Sequence, residues 1–292
     1  MLSTNSIKGK TTVALNENLR RLDVEGFCVL RNVIPSSELP DIRTALVNVQ
    51  EAQHEQAERE LEKIREKGHR VGAKGVALLK QAINHTQCFA PYVASRAILD
   101  IADSVFGKFT RISCTDCVIN HPGNERGYWH SDWPYNQTNA SHIPAPYADS
   151  IIHLSSIWML TPFGPETGGT FLIPGSHRNT NNPSAGVLQG VDADAPYHAE
   201  IQATGEAGSV LLYDSRLWHA VAPNLSNSPR VALIIRYAPW WLNLNPTVAG
   251  TSEHTQMVAE TGGKNYESVP ITRETYARLP DDVKPMYRHC VK

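Results

Sequence analysis

The chain has 292 residues, 41% hydrophobic and 19% charged, with 27 Lys and Arg against 29 Asp and Glu for a formal net charge of -2. That balance excludes intrinsic disorder and a concentrated basic surface, so no nucleic-acid partner is expected. No apolar run approaches the roughly 20 residues that cross a bilayer, so no membrane partner is expected and the reading is a cytoplasmic protein.

In chain order, Met1 to Leu15 is Ser/Thr-rich and reads as a disordered tail, followed by a short helix over Leu15 to Glu25. Phe27 to Ile34 reads as a strand, and Pro35-Ser36-Ser37 starts a helix that runs to about Lys67, whose dense charge over Glu51 to Arg65 suits a solvated face. A second helix is expected over Pro91 to Phe106.

After Gly107, short β-branched and aromatic runs alternate with turn residues. Candidate strands are Phe109 to Asn120, Gly127 to Trp133, Ser150 to Leu160, Gly169 to Ile173, His198 to Ala203, Ser209 to Asp214, Trp218 to Ala222 and Arg230 to Tyr237. Such spacing predicts a sandwich or barrel. The expected class is mainly β with α (α+β): a double-stranded β-helix, or jelly roll, flanked by N-terminal helices. One domain over 1–292 is expected, with a helical layer at about 13–106, the β core at about 107–240 and an extension at about 241–292, partly helical around Thr272 to Leu279.

The five cysteines, Cys28, Cys88, Cys114, Cys117 and Cys290, are sparse and odd in number, which suits a reducing compartment. Cys114 and Cys117 form a CxxC inside an extended stretch, without the second ligand pair of a zinc site or the helix start of a redox motif. They read as ordinary strand cysteines.

His130-Ser131-Asp132 is a His-x-Asp. On a strand, residues two apart share a face, so an imidazole and a carboxylate can meet one metal. His219 lies in a later strand-like segment, and Arg230 follows eleven residues on, opening an apolar strand. Two imidazoles and one carboxylate leave coordination positions for a bidentate 2-oxo acid and O2. A cation on an apolar strand needs a partner, which a dicarboxylate would supply through a bidentate fork.

With these pieces in order, the chain resembles the phytanoyl-CoA dioxygenase family of Fe(II)/2-oxoglutarate oxygenases. The resemblance covers roughly Val24 to Pro239. It is carried by His130-x-Asp132, Trp158, Gly168-Gly169-Thr170 running to Pro174-Gly175-Ser176-His177, and His219 with Asn224 and Arg230. It implies Fe(II), held by His130, Asp132 and His219, with 2-oxoglutarate as cosubstrate bound by Arg230, O2, and release of succinate and CO2. Trp158 and Thr170 resemble positions that help to hold the cosubstrate. Val221 stands where many members carry a Ser that shares the distal carboxylate, which leaves the second partner of that carboxylate open. Asp132 is retained, whereas halogenating relatives replace this acid.

His121, His142, His153, His177 and His198 have no partner spacing and read as structural, and Asp214 with Arg216 reads as a pair bracing the turn before His219. Trp129, Trp133, Tyr135, Tyr147, Trp240 and Trp241 are candidates for a pocket mouth or for loop packing. Arg236 shares strand parity with Arg230 and is a candidate for binding an anionic group of the substrate. Asn136 to Asp149 and Asn179 to Ala195 are candidate lids. The activity read from this set is hydroxylation of an unactivated C–H bond in a small-molecule metabolite. Desaturation, cyclisation or carbon–heteroatom cleavage by the same chemistry is the alternative, and a non-catalytic cupin-like metal-binding protein comes third. Arg230 discriminates against that last reading, because a simple metal binder has no need of it. Substrate identity and oligomeric state stay open.

Overall fold

The computed structural model describes residues 3–66, 72–133, 149–186, 188–260 and 267–292. In chain order, α1 (Ser3–Val24) leads into β1 (Phe27–Leu30), α2 (Leu39–Glu66) and β2 (Val76–Leu79). The short α3 (Ala90–Val93) and α4 (Arg96–Phe106) precede the long β3 (Arg111–Asn120). The strands continue with β4 (Leu154–Met159), β5 (Phe171–Leu172), β6 (Ile201–Gln202), β7 (Val210–Asp214), β8 (His219–Ala220) and β9 (Arg230–Ala238). The tail carries α5 (Ser252–Glu260), α6 (Arg273–Arg278) and α7 (Lys284–Tyr287).

Two antiparallel sheets form the body. The major sheet runs β1-β7-β4-β9-β3-β2 and the minor sheet β6-β5-β8. Side chains alternate across a strand, so each major strand feeds two cores. On the outer face, Leu154 and Trp158 of β4, Val210 and Leu212 of β7, and Val231, Leu233, Ile235 and Tyr237 of β9 pack with helix residues such as Ile42, Leu46, Ile98 and Ile101. On the inner face, Ile157 and Met159, Leu211 and Tyr213, and Ala232 meet Leu172, Ala203 and Leu217 from the opposite side. This jelly roll with a helical layer on one sheet is the expected fold class.

The helices follow the same logic. Leu39, Ile42, Leu46 and Gln50 recur at helical spacing and form the buried stripe of α2. Beyond them the charged run is exposed and laced with pairs such as Arg65–Glu62 at 2.8 Å. The tail returns to the outer core: Ile271, Leu279, Val283, Met286 and Tyr287 are buried there, and the Tyr287 hydroxyl lies 2.6 Å from Thr115 Oγ1 on β3.

Several elements differ from expectation. Helix α1 begins at Ser3, where a disordered leader was expected. The helix expected over Pro91 to Phe106 is broken between α3 and α4 at Ala94 and Ser95. The short β2 was not anticipated, because Val76–Leu79 has neither alternation nor length to announce it. The strand expected over Gly127 to Trp133 reduces to one bridge, His130 with His219. Gly26 has φ +87°, and a Cβ there would lie 2.5 Å from His177 Nδ1, so both conformation and space require glycine between α1 and β1.

Cys114 and Cys117 do lie within β3. Cys114 is opposite Arg236 while Cys117 joins the outer core, so the two face opposite sides. No disulfide joins the five cysteines, all of which lie among the described residues, and burial pushes the Cys117 thiol up to about 12. Among the described residues, no helix is long and apolar enough to cross a membrane.

Candidate metal centre

The bridge between His130 and His219 is a directly opposed antiparallel pair, with His130 N donating to His219 O at 3.1 Å and His219 N donating to His130 O at 2.9 Å. Opposed residues present their side chains on one face, and the two rings are 4.2 Å apart between centroids. Asp132 N donates to Ser215 O at 2.8 Å, which returns the chain towards the same face. One ligand atom from each of His130, Asp132 and His219 then lies within 4.8 Å of the others.

The hydrogen bonds fix the tautomers. His130 Nδ1 is 3.1 Å from Tyr128 O, and His219 Nδ1 is 2.9 Å from Leu217 O. A carbonyl can only accept, so each Nδ1 carries the proton and each Nε2 offers its lone pair to the cluster. Burial, then the neighbouring His219, push His130 down to about 3, so it stays neutral at physiological pH. Burial alone would raise Asp132, but the Arg236 cation, with the hydrogen bond from Ser155, holds it well below the usual carboxylate range. Two imidazole nitrogens and one carboxylate are the donor set of a facial iron site.

Asp132 is itself held by three side chains. Ser155 Oγ donates to Oδ2 at 2.7 Å, Tyr213 Oη donates to Oδ2 at 2.9 Å, and Arg236 Nη2 donates to Oδ1 at 2.6 Å. Arg236, expected to meet an anionic group of the substrate, has its Nη2 on the Asp132 carboxylate in this structure.

The segment expected as a second lid is a brace instead. Asn182 is buried, and its amide receives Ser131 N at 3.3 Å and donates to Ser131 O at 3.0 Å, imitating a strand neighbour between His130 and Asp132. Trp129 Nε1 donates to Ala195 O at 2.9 Å, and Arg126 forms a bidentate pair with Glu200 while stacking on Trp129 and Phe171. The first lid candidate, with Tyr135, Tyr147 and His142, lies outside the described residues apart from Asp149. Trp129 is packed into a buried cluster with Trp218, whereas Trp240 and Trp241 are exposed.

At the start of β9, Arg230 alternates onto the inner face with Ala232 and is 4% exposed. Its guanidinium sits 4.3 Å over the Phe163 ring, its Nε has no hydrogen-bond partner, and burial pushes it down to about 9. Directly across the ladder is Asn120, fully buried, with neither Nδ2 nor Oδ1 partnered. A buried charge beside a buried amide, all three atoms unpaired, is costly unless a ligand completes it. The pair suits a carboxylate. Asn120 was not singled out from sequence; its register opposite Arg230 is a tertiary fact.

Thr170 is buried and by strand alternation shares the side of Leu172, between the sheets. Trp158 departs from expectation. Its alternation places it in the outer core, opposite in sense to Ser155, and its Nε1 donates to Ser156 Oγ at 2.9 Å. It packs the helical layer and does not reach the site. Val221, two residues after His219, abuts Gly127, where a Cβ would lie 3.0 Å from Val221 Cβ. Asp214 and Arg216 do form a buried pair, Nη2 to Oδ2 at 2.7 Å, that braces the turn before His219. His177 is structural as expected, its Nε2 3.0 Å from Asp23 O.

The sequence model of the phytanoyl-CoA dioxygenase family matches residues 22–232, and the chain belongs to that family. Its class is that of the 2-oxoglutarate-dependent non-haem iron dioxygenases. An ectoine dioxygenase of Nocardia farcinica is 29% identical over 241 residues, covering 74% of each chain. An uncharacterised protein of Mycobacterium tuberculosis is 26% identical over 235 residues, covering 78% of this chain and 76% of its own. The crystal structure of SnoK, a non-haem α-ketoglutarate-dependent carbocyclase from nogalamycin biosynthesis, shares the fold with a TM-score of 0.56 at 21% identity, covering 76% of this chain and 83% of that one.

Proposed function

We propose that this protein hydroxylates an unactivated C–H bond of a small-molecule metabolite, with His130, Asp132 and His219 holding Fe(II) and Arg230 holding 2-oxoglutarate. The observation that carries the reading is the convergence of two Nε2 lone pairs and one carboxylate, all within 4.8 Å, in a fold that also buries an unpaired Arg230. When bound, the iron and the keto acid supply the oxidising power, with O2 reduced as 2-oxoglutarate goes to succinate and CO2.

The chain's own part is positioning. The Nδ1–carbonyl bonds aim both imidazoles. Tyr213 and Ser155 hold one carboxylate oxygen of Asp132, which favours one-point ligation through a lone pair of the other, the oxygen that also accepts from Arg236, and leaves room for a bidentate keto acid. Arg230 receives the distal carboxylate, and Asn120, which faces Arg230, fits as its second partner in place of the hydroxyl missing at Val221; Thr170 lies on the same inner face. Trp158 has no part in this account.

The likeness to a carbocyclase favours keeping a second reading, in which the same oxidant closes a ring or desaturates the substrate. The test is an O2-dependent assay with Fe(II), 2-oxoglutarate and a panel of small metabolites, reading succinate together with product mass. Hydroxylation predicts succinate with a product heavier by one oxygen; a product lighter by two hydrogens selects the second reading. A protein that neither binds nor turns over 2-oxoglutarate contradicts both.

A further inference from the structure

The inner face carries a line of hydroxyls and one imidazole that ends on a metal-site oxygen. Ser155 Oγ is 2.7 Å from Asp132 Oδ2, Ser215 Oγ is 2.8 Å from Ser155 Oγ, His153 Nδ1 is 2.6 Å from Ser215 Oγ, and Ser113 Oγ is 2.8 Å from His153 Nε2. His153, Ser155 and Ser215 are all buried. His153 also stacks on Trp133, with centroids 5.8 Å apart. Nothing in the His-x-Asp and distal-histidine pattern calls for this histidine.

Proton counting gives the line a direction. Asp132, ionised, only accepts, so Ser155 must donate to it. Ser155 then has only lone pairs for Ser215, so Ser215 donates to Ser155. Ser215 has in turn only lone pairs for His153, so His153 Nδ1 carries the proton. His153 Nε2 is left as an acceptor, and Ser113 Oγ at 2.8 Å donates to it in preference to Arg236 O at 3.4 Å. The Nδ1-protonated tautomer of His153 is thus the one that matches the orientation of both hydroxyls. Burial holds His153 at about 3, which keeps it neutral and the direction constant.

We propose that His153 is a positioning residue for the metal site. Through Ser215 and Ser155 it keeps a hydrogen bond donated to Asp132 Oδ2, and so holds the carboxylate turned with its other oxygen, which also accepts from Arg236, to the metal. This rests on the reading of His130, Asp132 and His219 as metal ligands. Outer partners of ligands commonly change metal affinity by roughly tenfold to a hundredfold.

The experiment is a double-mutant cycle on metal binding. Mn(II) alone is titrated calorimetrically into wild type, H153L, S155A and H153L/S155A, with thermal midpoints measured alongside. H153N is added because its amide can donate where Nδ1 does. The expected result is a loss of about tenfold or more in Mn(II) affinity for H153L and for S155A, with the double variant no weaker than S155A, because both act through one line. H153N should restore affinity to within about threefold of wild type. Additive losses in the cycle would overturn the proposal, as would unchanged affinity in H153L. An H153N protein that is stable but binds metal no better than H153L would also overturn it, since packing alone would then account for the position. Failure of wild type to bind Mn(II), or undiminished binding by a His219→Ala variant, would instead strike at the ligand assignment itself.

Discussion

At the scale of single residues, the site depends on groups held neutral or charged against their ordinary tendency. Burial pushes His153 and His130 to about 3 from an ordinary 6.5. The unfolded chain therefore binds more protons than the folded one between those values, so stability is present above pH 6.5 and is lost as pH falls towards 3. In metal-free protein, urea midpoints measured from pH 7 down to 4 should fall steeply for wild type. His153→Asn removes one of the histidines held down by burial, so its decline should be shallower. An equal decline in both proteins would show that His153 titrates normally in the fold. The clustering of His130, Asp132 and His219 was legible because His-x-Asp, a later histidine and a following arginine keep their order along the chain. Asn120, Asn182 and His153 were not, because each acts through a partner more than 50 residues away in sequence, or across a ladder whose register sequence does not display. Trp158 shows the converse: strand parity, once the register is known, turns a site candidate into a core residue.

At the scale of elements, β9 explains why one strand can serve both the core and the site. Its odd positions from Val231 feed the helical layer, while Arg230, Ala232, Ile234 and Arg236 face the minor sheet. The alternation of apolar runs gave away most strands in the sequence, whereas the two-residue strands β5, β6 and β8 were overextended because their turns supply much of the apolar content. The segment Asn179 to Ala195, polar and rich in Pro and Asn, reads as a lid in the sequence; the hydrogen bonds of Trp129 to Ala193 O and Ala195 O tie its end down, and the Arg126–Glu200 pair holds the chain just beyond it. Asn182 is the point where this brace meets the ligand segment. Asn182→Ala should leave Ser131 N and O unpaired in a buried position and destabilise the fold by about 2–4 kcal/mol. Equilibrium urea unfolding checks this, and a change below about 0.5 kcal/mol, the level of an ordinary surface substitution, would mean the imitation strand bond contributes little.

At the scale of the whole molecule, the major sheet is covered on its outer face by both ends of the chain. We propose that helices, sheets and tail form one folding unit. Tyr287 is the tail's fully buried contact with β3. Tyr287→Phe removes one partner of Thr115 and should lower stability by about 1–3 kcal/mol. It should do so in a single transition seen alike by tryptophan fluorescence and far-ultraviolet circular dichroism. Two separated transitions would indicate that the tail melts apart from the β core.

The claim on which the rest stands is that two imidazoles and one carboxylate share a metal with a keto acid anchored by Arg230. Anaerobic addition of Fe(II) and then 2-oxoglutarate, followed by visible absorption, tests it most directly. Wild type should develop a weak charge-transfer band, His219→Ala should show none, and Arg230→Leu should require far more 2-oxoglutarate to reach it. A band of equal intensity in His219→Ala, or one whose dependence on 2-oxoglutarate is unaltered in Arg230→Leu, would contradict the account.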